Sequence, residues 1–240
     1  MIELTRDGDV FTLTMAAGEN RWNTTFVRAF AAVLDDVEAS SGAAALVTTS
    51  ASDKFFSNGL DLDWVRDPAA HPAAGDRGPF ADEFMKLMAR IITFPIPTIA
   101  AINGHAFGAG FMLSLCHDLR YMRADRGFVC ANEMQLGLAI PAPELALFRH
   151  KLPFNVFFET VQLARRWTGV DAERAGIVQA TADAANLLPL ALRRAAEVAP
   201  LGANRALYRG QKEAIYGENA ILNGPHGAAW MLRNLDHYEH

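Results

Sequence analysis

An α/β core followed by a helical tail is the fold this sequence predicts, and three observations carry it. Short apolar runs of strand length alternate with segments of helical period as far as residue 154. Turns bearing glycine or proline punctuate them. From 155 to 240 the strand signal stops and amphipathic helical spacing takes over. Strand–helix alternation marks α/β architecture. Residues 1–154 are therefore expected as the core, and 155–240 as a helical C-terminal region.

The elements follow in order. Ile2 and Leu4 alternate on one side of Asp7-Gly8, and Phe11, Leu13 and Met15 on the other, which reads as a β-hairpin. Thr24 or Thr25 is the expected cap of a helix whose stripe is Phe26, Phe30, Val33, Leu34 and Val37. Ala44–Thr49 reads as a buried strand, Ser57-Asn58-Gly59 as a turn, and Asp67–Gly78 as a surface loop. Phe84, Leu87, Met88 and Ile91 share a helical stripe. Thr98–Ile102 reads as a strand running through the glycine-rich stretch Asn103–Gly110 into a helix that reaches Cys116, and Leu119–Met122 as the next strand. Beyond Asn155 only helices are expected, over 156–166, 171–176, 188–198, 203–216 and 220–240.

Bulk properties exclude several functions. A chain of 240 residues can bury a sizeable core, and its 51% hydrophobic content is that of an ordered globular protein. A net charge of −5 gives no electrostatic footprint for nucleic acid. No apolar run approaches the length of a membrane span, and Met1–Asp7 lacks the basic-then-apolar pattern of a signal peptide. Cys116 and Cys130 read as reduced, buried small hydrophobes. A cytoplasmic protein without nucleic-acid or membrane partners is the expectation. No nucleophile elbow, phosphate loop or zinc-binding His pair occurs. The adjacent His117 and Asp118 would point in different directions on a helix, which favours a structural role.

Three segments carry possible chemistry. In Phe56-Ser57-Asn58-Gly59-Leu60-Asp61-Leu62 the glycine permits a sharp turn with an exposed N–H, although alone it is only a turn. In Gly104-His105-Ala106-Phe107-Gly108-Ala109-Gly110, small residues between strand and helix admit a ligand close to the backbone, or simply tight packing. Glu133, in Asn132-Glu133-Met134-Gln135-Leu136-Gly137, has apolar neighbours that would raise its pKa toward proton-transfer work, unless it is an exposed loop residue. Together, two convergent N–H groups and a carboxylate make an oxyanion hole and a base.

The order and spacing of these segments resemble the crotonase superfamily of enoyl-CoA hydratases and isomerases. Phe56–Leu62 and Asn132–Gly137 most resemble the Δ3,Δ2-enoyl-CoA isomerases. His105-Ala106, Gly110-Phe111, His117-Asp118 and Asp125–Phe128 look like the plant peroxisomal members. The resemblance implies a ββα superhelix with a C-terminal helical trimerisation region, hence a homotrimer or dimer of trimers. It implies oxyanion donors at the N–H groups of Leu60 and Ala109, with Asn58, Gly59, Asp61, Gly108 and Asn132 lining the acyl-CoA site. Hydratases of this family use two glutamates. The first falls at Met112, which cannot transfer a proton, and the second at Glu133. One carboxylate suffices to move a double bond from 3-enoyl-CoA to 2-trans-enoyl-CoA, with no metal and no cofactor beyond the coenzyme A of the substrate. Some isomerases of the superfamily place their base elsewhere on the pocket wall, which makes Glu144 a reserve candidate. The alternatives are hydration, thioester hydrolysis, or a non-catalytic acyl-CoA-binding protein.

Overall fold

The computed structural model describes residues 1–218 and 226–238. The hairpin of β1 (Ile2–Asp7) and β2 (Val10–Met15) forms as expected, with Asp7 opposite Val10 and Gly8 at φ +55 in the turn. Helix α1 (Thr24–Ala39) follows, but its cap is Asn23, whose side chain accepts the Phe26 N–H. The expected capping hydroxyls are engaged elsewhere. Thr24 donates to Asp76 O and Thr25 to Ala73 O, fastening the 67–78 loop instead.

The chain then visits two sheets in turn. β3 (Ala45–Ser50) enters the larger sheet, β4 (Phe55–Ser57) the smaller, and α2 (Leu62–Arg66) and α3 (Phe80–Ile92) return the chain. β5 (Thr98–Ile102), β6 (His105–Phe107) and α4 (Ala109–Cys116) repeat the cycle, as do β7 (Leu119–Arg123), β8 (Val129–Cys130) and α5 (Ala142–Lys151). Each cycle is strand, strand, helix, so the chain advances as a ββα spiral. The smaller sheet, β4-β6-β8, is wholly parallel, which brings the C-terminal ends of its strands to one edge. All three chemistry-bearing turns leave from that edge.

The tail departs from the expectation of helices alone. After α6 (Phe154–Val161) and α7 (Gly169–Arg174), the short strand β9 (Ala180–Ala182) pairs parallel with β7. This completes the larger sheet in the order β1-β2-β3-β5-β7-β9. Three half-buried residues at an edge show no alternation to detect. α8 (Leu187–Val198), α9 (Arg205–Tyr216) and α10 (Ala228–Arg233) follow. Of the helix expected over 220–240, α10 and a 3-10 turn at Leu235–Tyr238 are present, while 219–225, 239 and 240 lie outside the described residues.

One core runs through both expected regions. Val156, Trp167, Ile177 and Leu232 share a buried cluster with Leu13, Phe30 and Phe111. On the opposite face of the sheet, Leu187, Ala191 and Ala195 of α8 cover Val47, Ile99 and Tyr121. His117 is fully buried, its ring bonded to Leu113 O at 2.9 Å and Thr48 Oγ1 at 2.8 Å. Burial pushes its pKa down to about 4. Asp118 pairs with Lys212 of α9 at 2.8 Å, so both residues fasten helices to the sheet. No helix among the described residues is long and apolar enough to cross a membrane.

Candidate active site

The first turn leaves β4 and is held by the Asn20–Asn23 segment. Ser57 Oγ donates to Asn20 O at 2.7 Å, and Asn58 reaches Glu19 through its N–H (2.9 Å to O) and its Nδ2 (2.8 Å to Oε2). Trp22 then forms a parallel bridge at Leu60: its N–H donates to Gly59 O, and its carbonyl accepts the Asp61 N–H. Because extended backbone alternates its hydrogen-bonding direction, that pairing turns the Leu60 N–H to the other side. There, among the described residues, it has no acceptor within the protein.

The second turn joins β6 to α4 through Gly108, at φ +48. Gly108 N–H donates to Cys130 O at 2.9 Å, whereas Ala109, as the first helical residue, has no partner for its own among the described residues. The two turns touch. A Cβ on Gly110 would lie 2.4 Å from Ser57 O, and one on Gly59 would lie 2.7 Å from Phe107 O. Glycine at both positions is what lets Leu60 and Ala109 line one cavity of about 520 Å³.

The third turn follows β8. Asn132 leads into a 3-10 turn, Glu133–Leu136, closed by Gly137 in the left-handed conformation. This projects Glu133 into the same cavity. Its Oε2 is buried without a partner among the described residues, and burial raises its pKa above the usual carboxylate range. Glu144, in the first turn of α5, also lines the cavity and is 7% exposed. Burial, reinforced by the Glu133 charge, pushes its pKa up to about 8. Asn58, Gly59, Leu60, Gly108, Ala109, Asn132, Glu133 and Glu144 are thus brought together as the sequence suggested.

Asp61 is not among them. Its carboxylate caps α2 by accepting the Trp64 N–H, and it accepts from Asn23 Nδ2, so it is occupied outside the cavity. Met112 does not line the cavity either: the third position after Ala109 on α4 points into the core, and its side chain is fully buried. The sequence reading missed the cavity's walls. Phe80, Phe84 and Met85 come from α3, and Arg21 and Arg166 stand in the lining. The α3 stripe is indistinguishable in sequence from ordinary core. Among the described residues, no group of three or more His, Cys, Asp or Glu could hold a metal ion.

The enoyl-CoA hydratase/isomerase family model matches residues 6–233. The chain belongs to this family. Enoyl-CoA delta isomerase 2, peroxisomal, of Arabidopsis thaliana is 34% identical over 76% of this chain and 77% of its own length. Enoyl-CoA delta isomerase 1, peroxisomal, of the same plant is 31% identical over 92% of each. Among solved structures, an enoyl-CoA hydratase/isomerase family protein from Pseudomonas syringae superposes with a TM-score of 0.78, at 25% identity over 89% of each chain. Membership carries the ββα superhelix with it. The two sheets and their three exit turns are this chain's version of that fold.

Proposed function

We propose that the protein is a Δ3,Δ2-enoyl-CoA isomerase that binds acyl-CoA thioesters and shifts a 3-enoyl double bond to the 2-trans position. One observation carries the reading: the cavity brings Leu60 and Ala109, whose backbone N–H groups have no partner among the described residues, together with the carboxylate of Glu133, whose Oε2 has none there either, while the α4 position at Met112 holds no carboxylate. In this reading the thioester oxygen accepts hydrogen bonds from Leu60 and Ala109. The N-terminus of α4 adds its positive dipole end behind Ala109. Glu133 removes a C2 proton, and the negative charge of the resulting dienolate gathers on the thioester oxygen. Glu133 then returns the proton to C4. No atom is gained or lost, and both steps are proton transfers, so the reaction requires neither metal nor redox cofactor. Each oxyanion donor is worth on the order of 3 kcal/mol of barrier. Gly59, Gly108 and Asn132 shape the backbone around the thioester. Asn58 is committed to Glu19 and holds the first turn in place.

Homotrimeric assembly, or a dimer of trimers, belongs to the same proposal. Phe154 and Phe158 stand one turn apart on α6 and are 69% and 54% exposed, with Leu163 nearby at 62%. Exposed apolar side chains grouped in this way support an interface there. The cytoplasmic expectation has no counterpart in the names of the two plant relatives, both of which are peroxisomal.

Incubation of the purified protein with 3-hexenoyl-CoA, crotonyl-CoA and hexanoyl-CoA tests the function. Appearance of conjugated enoyl absorbance from the first substrate supports the proposal. Loss of crotonyl-CoA absorbance without isomerisation would make it a hydratase, release of free thiol a hydrolase, and binding without turnover a carrier.

A further inference from the structure

Glu144 is a buried acid in the wall of the cavity. It is 7% exposed, lines the cavity, and has no hydrogen-bond partner among the described residues. Much of the cavity lining is apolar: Phe80, Phe84 and Met85 from α3, and Leu138 and Pro141 ahead of α5. Buried polar groups are almost always paired, and an unpaired one in an apolar wall is unfavourable unless a partner arrives from outside. Burial and the neighbouring Glu133 charge push the pKa of this carboxyl up to about 8, which favours its protonated form. A protonated carboxyl offers one O–H donor and a carbonyl acceptor. Its complement is an oxygen on the ligand, not a methylene.

We infer that Glu144 selects acyl groups carrying a hydroxyl or keto oxygen along the chain, by hydrogen bonding to that oxygen from the wall of the acyl pocket. The inference deepens the acyl-CoA reading of this cavity and rests on it. In the free protein, water can satisfy the carboxyl. A plain alkyl chain displaces that water and leaves the group unpaired, whereas an oxygenated chain replaces it. Sites that hydrogen-bond a substrate oxygen discriminate against analogues lacking it for this reason.

The test measures binding rather than turnover. Isothermal titration compares octanoyl-CoA with octanoyl-CoAs bearing one hydroxyl or one keto group at carbons beyond C4. The proteins are the wild type, Glu144→Gln, which keeps a donor and an acceptor, and Glu144→Leu, which removes both. The expected result is that at least one oxygenated ligand binds the wild type roughly tenfold tighter than octanoyl-CoA. Glu144→Gln should keep most of that ratio, and Glu144→Leu should lose it while binding octanoyl-CoA at least as well as the wild type. A purely structural role for Glu144 would shift all affinities together and leave the ratio unchanged. The inference is overturned if the wild type binds octanoyl-CoA as tightly as every oxygenated ligand, or if Glu144→Leu keeps the preference. If no acyl-CoA binds the wild type, the acyl-CoA reading itself fails, and that outcome is distinct from equal binding of all.

Discussion

Gly108 and Glu133 leave no room for a side chain between them: a Cβ on Gly108 would lie 2.9 Å from Glu133 Oε1. Gly108 also sits at φ +48, where an L side chain is strained. The residue that opens the second turn therefore also fixes where the carboxylate of the third can stand. Gly108→Ala should displace Glu133 while Leu60, Ala109 and the apolar walls still bind substrate. A misplacement of about 1 Å can cost about a hundredfold in rate. The expected outcome is a kcat lowered by roughly tenfold to a hundredfold on 3-hexenoyl-CoA with KM little changed. Circular dichroism should show an intact fold.

Glu133→Gln removes the base and keeps the shape. Isomerisation should fall by several orders of magnitude, and acyl-CoA affinity should stay within roughly tenfold, because a base acts on the chemical step. Glu144→Gln should keep most of the turnover. The reverse pattern, with Glu133→Gln active and Glu144→Gln silent, would reassign the base.

How much of this was legible in the sequence depended on the reach of each signal. The hairpin, α1, β5 and α4 announce themselves through local periodicity, and so does the glycine turn that frees the Leu60 N–H. Asp61 was misplaced because a carboxylate beside a glycine turn looks the same whether it faces a ligand or caps the next helix, and only the Trp64 N–H decides. The capping of α1 by Asn23 was hidden similarly, since the loop that occupies the Thr24 and Thr25 hydroxyls lies about fifty residues away in sequence. β9 joins the sheet through pairing with β7, which no local pattern encodes. The acyl walls on α3 and the burial of Glu144 are equally matters of packing.

Met112→Glu should fail to create a hydratase. The side chain is fully exposed to the core and not to the cavity, so the new carboxylate would be buried without a partner. Removing one partner from a buried ion pair costs roughly 3–5 kcal/mol, and an unpaired new charge belongs in the same range. Urea denaturation should show a loss of that order, or the protein should fail to accumulate in soluble form. Crotonyl-CoA hydration should not rise above the wild-type level.

Phe154 and Phe158 predict the assembly state. Sedimentation velocity under reducing conditions at micromolar concentration should give a trimer or hexamer of the 26.2 kDa chain. Phe154→Glu/Phe158→Glu should shift it toward smaller species, because two like charges would replace apolar surface on the same face of α6. A wild type that sediments cleanly as a monomer would refute the trimer.

Glu144 makes a prediction about stability that is independent of catalysis. In the unfolded chain its pKa is the ordinary 4.5, and in the folded protein burial and Glu133 push it up to about 8. Below pH 4.5 the carboxyl is protonated in both states and contributes nothing to pH dependence. Between the two values the unfolded chain ionises and the folded protein does not, so ionisation favours unfolding increasingly as pH rises. Above about 8 both states are charged and the penalty stops growing. At about 1.4 kcal/mol per pKa unit, its limit is on the order of 5 kcal/mol. Glu144→Gln removes the ionisation from both states. Its Tm should exceed that of the wild type by an amount that widens from pH 5 to pH 8 and then levels off, at roughly 2–4 °C per kcal/mol for a chain of this size. A Tm difference that stays constant across that range would mean that Glu144 ionises normally in the folded protein. The proton that gives the acyl pocket its hydrogen-bond donor would then be absent at neutral pH.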